Sequence, residues 1–281
     1  MNRFFGKAKF LLGQMKETAV ILLLFLLVQV ICAGAAQLFG GATATPSVPG
    51  TPALPFSPTA YAVALFFGEM VLVVLLGLFR LIRRRPVTAL RWTRHHTVAV
   101  AGMLLLGLGL SVLDSLIGLP DNGMNDLFGT MLRNPLCLLL LCVVGPLTEE
   151  LVFREGILRS LVLRGIPSVT AVTVSALLFG LVHGNAAQAL PAVALGFALG
   201  LFYLRTRDIL LCGVAHMTNN TIAVLLLMRP EAEAAVTGLD VQVQIAVCVL
   251  LSLTGVALLA YWWRRSAHAP YKQSEKEDEN R

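Results

Sequence analysis

The chain has 281 residues, of which 57% are hydrophobic and only 14% charged, with a mean hydropathy of +0.77. Soluble domains are about half apolar and about a quarter charged, so a water-soluble globule is excluded and lipid is the expected solvent. The net charge of +6 comes from basic residues set in short clusters between apolar runs. That pattern suits a membrane surface and excludes nucleic acid as a partner.

Apolar runs of bilayer-spanning length, about 17–25 residues, fall near 19–40, 60–79, 97–118, 135–158, 168–184, 188–204, 209–228 and 241–263. They predict an all-α polytopic membrane protein of about eight transmembrane helices, with its active site inside the helical bundle. Four units are expected: 1–134 with three spans and a Pro-rich outer loop, 135–228 as catalytic core, 229–263 as last span, and 264–281 as a disordered tail. The first run could be read as a signal peptide cleaved after Ala33-Gly34-Ala35. Its long basic lead, Glu17 beside the apolar core and the continuation to Phe39 favour a retained span. Pro46, Pro49, Pro52, Pro55 and Pro58 recur at every third position, the period of a stiff polyproline II spacer.

Arg3, Lys7, Lys9 and Lys16 precede the first span, and Arg80, Arg83, Arg84, Arg85, Arg91 and Arg94 follow the second. Arg159, Arg164, Arg205, Arg207, Arg264 and Arg265 mark later ends of the same parity, whereas Arg133 and Arg229 fall in opposite loops. The positive-inside rule then places both termini in the cytoplasm. Trp262 and Trp263 are expected to anchor the interface, and His95 and His96 to be solvated. Glu69 is expected to hydrogen-bond a neighbouring helix. The five cysteines form no CxxC pair and are read as small hydrophobes.

An ionisable group at mid-bilayer costs roughly 2.5–3.5 kcal/mol on insertion scales, so each one calls for a reason. The fourth run carries Glu149-Glu150 and, four residues after the second, Arg154. That spacing puts Glu150 and Arg154 on one helical face and turns Glu149 about 100° away, where it is free to act as a base. A structural salt bridge near a helix end explains the pair alone almost as well. The fifth run ends on His183, and the seventh holds His216 and, one turn later, Asn220. The His216–Asn220 face can donate to a carbonyl oxygen that is becoming an oxyanion. A helical hairpin folded at Gly165–Pro167 levels Glu149 with His183. His216 reaches that level only if the 159–167 turn projects into the cytoplasm or the helices tilt, and the projecting turn, which solvates Arg159 and Arg164, is preferred.

EExxxR, FxxxH and HxxxN, in that order on separate apolar helices, resemble the CAAX-protease and bacteriocin-processing (Abi) family of intramembrane endopeptidases over about residues 135–228. The residues concerned are Glu149, Glu150 and Arg154; Phe179 and His183; and His216 and Asn220. By this resemblance Glu149 and His183 activate water, His216 and Asn220 hold the oxyanion, Glu150 and Arg154 position the base, and Phe179 supports them. The implied substrate is a peptide or protein at the membrane, which the sequence leaves open as lipidated, tagged or neither. No metal is the preferred reading, since Asn220 is a poor zinc ligand. Zinc held by Glu149, His183 and His216 is the alternative. A non-catalytic immunity or scaffold protein of the same fold is the competing function. A transporter is disfavoured by the lack of internal repeats.

Overall fold

The computed structural model describes residues 15–40, 57–83, 92–120, 128–129 and 131–266. Within them the chain is helical, with no strand. We number the helices α1 (Lys16–Gly40), α2 (Pro58–Leu78), α3 (Arg94–Ile117), α4 (Pro135–Leu163), α5 (Ser168–Leu181), α6 (Ala186–Thr206), α7 (Ile209–Leu227), α8 (Pro230–Thr237) and α9 (Val241–Arg265). All except α5 and α8 are long and apolar enough to cross a bilayer. Their outward residues are apolar as well: Leu250 and Leu253 of α9 are 67% and 65% exposed. A water-facing surface of that kind would associate, whereas in lipid it is the matched surface. The protein is therefore an all-α polytopic membrane protein.

The fifth predicted run differs from expectation. Helix α5 has 14 residues, about 21 Å at 1.5 Å per residue, too short to cross the roughly 30 Å hydrocarbon core alone. It stops because Gly184 turns the chain at φ +73°, a left-handed conformation that glycine adopts without penalty. Asn185 then caps α6, its side chain accepting from the Gln188 N–H at 2.9 Å. His183 consequently sits in the α5–α6 turn rather than inside a span.

Helix α4 is not uniform. It widens into π turns at Leu140–Val144 and Leu151–Leu158, on either side of Gly145–Glu150. Pro146 has no N–H to give the preceding turn, and the first widening falls just before it. Such bulges occur mostly at functional sites. Asn134 starts the helix by accepting from the Leu136 N–H at 2.9 Å.

Close backbone approach holds the helices around α4. A Cβ on Gly255 of α9 would lie 2.6 Å from the Leu106 nitrogen of α3, and one on Gly109 of α3 would lie 2.9 Å from the Ser252 nitrogen. Lipid supplies no hydrophobic drive between helices, so small residues that allow this contact are how spans associate. Glycines at 180 and 196 perform the same role between α5 and α6. Phe153, Ile157, Phe179 and Phe202 fill the centre of the bundle.

Three expectations are settled by this packing. Trp262 is no interface anchor: it is 1% exposed and packs edge-on to Phe202, because α9 turns that face inward. His95 and His96 are half-buried rather than solvated. His96 Nδ1 accepts from the Thr93 N–H at 3.2 Å and so helps cap α3. Glu69 does hydrogen-bond a neighbouring helix, accepting from Gln29 of α1 at 2.8 Å. The cysteines are all free. The proline-rich loop and the segment from residue 267 onward lie outside the described residues.

Candidate active site

The segment Gly145–Glu150 between the two π turns presents its carboxylates toward α7. Glu150 is fully buried, with Arg154 Nε 3.0 Å from one oxygen and His216 Nδ1 2.8 Å from the other. Arg154, also fully buried, lies over the Phe179 ring at 4.8 Å and reaches the Gly196 carbonyl at 3.5 Å. Glu150 is thus held from both sides. Glu149 is different: its side chain keeps 26% exposure and its carboxylate stands 3.6 Å from His216 Nε2.

His216 therefore stands between the two glutamates, one at each ring nitrogen. An ionised carboxylate can only accept, so Nδ1 carries the hydrogen given to Glu150. His183 is oriented in the same manner. Its Nδ1 is 2.7 Å from the Phe179 carbonyl, which can only accept, so Nδ1 donates there and Nε2 is the nitrogen left for a further partner. The Phe179 ring lies edge-on to both imidazoles, 5.0 Å from His183 and 5.6 Å from His216. The two histidines, whose levels along the sequence were hard to match, meet around this one ring.

Asn220 lies one turn beyond His216 on α7. Its Nδ2 donates to the Leu141 carbonyl at 3.1 Å, and its Oδ1 accepts from Asn219 at 3.3 Å. Leu141 belongs to the first π turn of α4, so that widening and Asn220 are joined directly. These bonds fix the amide orientation and leave its second N–H uncommitted among the described residues.

Sequence reasoning missed a second buried cluster one turn along. Glu155 is fully buried, accepts from the Tyr203 hydroxyl at 2.6 Å and from Arg83 Nη2 at 2.9 Å, and lies 3.9 Å from Arg159. Burial opposes the Arg83 charge, but the hydrogen bonds and charge of Glu155 and Tyr203 more than offset it, raising its pKa above the ordinary arginine range. The signal was present in the sequence as a third carboxylate inside an apolar run, directly after Arg154. An open apolar cleft of about 410 Å³ is lined by Val73, Val74, Gly77, Leu78, Ile82, Arg83 and Leu151, so Arg83 borders it from the second cluster.

A zinc ligand histidine normally gives its second nitrogen to a carbonyl or carboxylate, and both imidazoles do this. Among the described residues, however, no three His, Cys, Asp or Glu side chains are grouped to hold an ion. Glu149, His183 and His216 do not fit a zinc cage as arranged.

Comparison with known proteins finds similarity in the part of the bundle that holds this buried carboxylate–imidazole cluster. Residues 132–222 match the family model described as "Type II CAAX prenyl endopeptidase Rce1-like", over the stretch that carries all three motifs. The chain is 32% identical over 96 residues to "Putative membrane peptidase YdiL" of Bacillus subtilis (strain 168), covering 34% of this chain and 39% of that protein. It is 31% identical over 104 residues to "Membrane-embedded CAAX protease MroQ" of Staphylococcus aureus (strain USA300), covering 35% of this chain and 42% of that protein. It spans about two fifths of the length of these curated relatives. No solved structure matches. The resemblance to the CAAX-protease family is thereby shown for the 132–222 segment, and it supports a membrane peptidase.

Proposed function

We infer that this protein is an intramembrane endopeptidase that hydrolyses a peptide bond of a membrane-associated or small peptide substrate with a water activated by Glu149 and His183. The observation that carries the reading is the unequal treatment of two adjacent carboxylates. Glu150 is locked between Arg154 and His216, while Glu149 keeps 26% exposure beside the same imidazole. A structural ion pair needs only the first of these.

The chemistry follows from the hydrogen bonds. Water sits against the Glu149 carboxylate and the His183 Nε2 lone pair, loses a proton to Glu149 and attacks the carbonyl carbon. As the carbonyl oxygen becomes an oxyanion, the second Asn220 N–H and His216 Nε2–H donate to it. Nδ1 faces Glu150 at 2.8 Å, so Nε2 is the ring nitrogen turned toward the reacting carbonyl and Glu149. The C–N bond then breaks as Glu149 passes its proton to the departing nitrogen. Glu150 and Arg154 act through His216 and touch no substrate. No metal enters these steps, and the substrate is proposed as a membrane peptide, lipidated or not. An immunity or scaffold role is the second reading, and it predicts that no base is needed.

Glu149→Gln keeps size and polarity but removes basicity. Cleavage by purified protein should fall by about 10²–10⁴ with unchanged detergent-solubilised yield. Full activity in this variant together with a dead Glu150→Gln would exchange the two roles, and full activity in both would remove the two glutamates from the mechanism. EDTA or phenanthroline should leave cleavage intact. Complete loss restored by added zinc would make Glu149, His183 and His216 ligands instead.

A further inference from the structure

Glu69 has no part in the chemistry above, yet it lies near the middle of α2, twelfth of that helix's 21 residues. It is 5% exposed. One carboxylate oxygen accepts from Gln29 Nε2 at 2.8 Å, and the other, Oε2, is buried with no hydrogen-bond partner among the described residues. From α4, the Thr148 side chain comes within hydrogen-bonding reach of this carboxyl group and the Glu149 charge acts on it. Its other polar neighbours are Cys32 of α1 and Tyr61 of α2. None of these residues is a cation. A buried carboxyl oxygen left unsatisfied costs about 1–3 kcal/mol or more. Scaffolding alone does not explain its retention, because a leucine there would pack against α1 without that cost.

Hydrolysis inside a bilayer consumes one water per turnover, in a medium where water is scarce. A buried polar pocket with several hydrogen-bonding groups is where a protein holds water. We propose that Gln29 and Glu69 form a water-holding site behind Glu149, with Glu69 Oε2 accepting from a water that supplies the one Glu149 deprotonates. This rests on the reading of Glu149 as the base. Glu69 is then a positioning residue, acting through the water it holds. Thr148 borders the same site: its hydroxyl stands 3.0 Å from the Val144 carbonyl and in reach of Glu69, and its oxygen can accept from that water.

Cys32 provides a reporter that does not depend on catalysis. It is 4% exposed, and its Sγ lies 2.3 Å from where a Cβ on Gly68 would stand, against the turn of α2 that carries Glu69. Proteoliposomes of the full chain in H₂¹⁸O are exposed to a short X-ray pulse, which makes hydroxyl radicals from bound water, and ¹⁸O on Cys32 is read by mass spectrometry. Wild type and Glu149→Gln should both be labelled, and Glu69→Leu and Gln29→Leu should lose roughly fivefold or more of the label. In a peptide-cleavage assay the two leucine variants should lower kcat by about tenfold with KM within about twofold, and should fall more steeply than wild type as an excluded osmolyte lowers water activity. Glu69→Gln, which still accepts a hydrogen bond, should recover most of kcat. Labelling that stays at the wild-type level in both leucine variants overturns the proposal, as does a rise in KM with kcat unchanged. A wild-type protein that cleaves nothing would sink the peptidase reading instead, and the labelling would still decide whether the water is held there.

Discussion

Arg154 is the residue on which the site's geometry depends most. It neutralises Glu150 at 3.0 Å, and both side chains are fully buried. Removing one member of such a pair leaves the other charge without compensation, which typically costs about 3–5 kcal/mol. Arg154→Ala should therefore lower both activity and the unfolding midpoint in detergent, unlike Glu149→Gln, which should lower activity alone. A stable but inactive Arg154→Ala protein would show that Arg154 serves the chemistry directly. Tyr203→Phe tests the second cluster: it removes the 2.6 Å bond to Glu155 and should cost about 1–3 kcal/mol, with kcat retained. The Glu150–Arg154 pair was legible in the sequence because i,i+4 spacing fixes it locally. The approach of His216 to both glutamates was not, since it depends on how α7 packs against α4. Glu155 was passed over because its partners, Arg83 and Tyr203, lie 72 and 48 residues away.

The helices carry the site through their irregularities. The eight apolar runs were legible from hydropathy, and each contains a helix. The length of α5 was not, because residues 182–184 are apolar enough to extend a run while Gly184 turns the backbone. The two π turns of α4 had one visible cause, Pro146, and otherwise arise from packing. Contact between α3 and α9 is the element-scale feature most open to test. A Cβ on Gly255 would meet the Leu106 nitrogen at 2.6 Å and the Gly102 carbonyl at 2.7 Å, both backbone atoms that cannot swing aside. Gly255→Ala should thus destabilise by about 1–3 kcal/mol, the usual range for overpacking, read as a lower unfolding midpoint. An unchanged midpoint would mean that the two helices are not held at this separation.

At the scale of the whole molecule, outward apolar faces and inward carboxylates put the proposed hydrolytic chemistry within the membrane. From the arginine clusters we propose cytoplasmic termini, with α5 and its turn together reaching the outer side, where the Ala187 N–H meets the Pro120 carbonyl beyond α3 at 3.4 Å, and reporter fusions at residues 50, 88, 125, 165 and 235 reading out, in, out, in, out. An inverted result at 88 would reverse the face from which the Glu149 site is reached. The matched segment, residues 132–222, contains every proposed catalytic residue. Helices α1 and α2, outside it, carry Gln29 and Glu69, and the water site proposed for that pair would make the N-terminal spans part of the working unit as well as the anchor. The central claim is that this centre cuts peptide bonds. Its most direct test is to incubate proteoliposomes of the purified wild type and of Glu149→Gln with membranes from cells lacking the gene, and to map new peptide C-termini by mass spectrometry. The account predicts C-termini that appear with wild type and are absent with Glu149→Gln. The same set of termini from both proteins would contradict it.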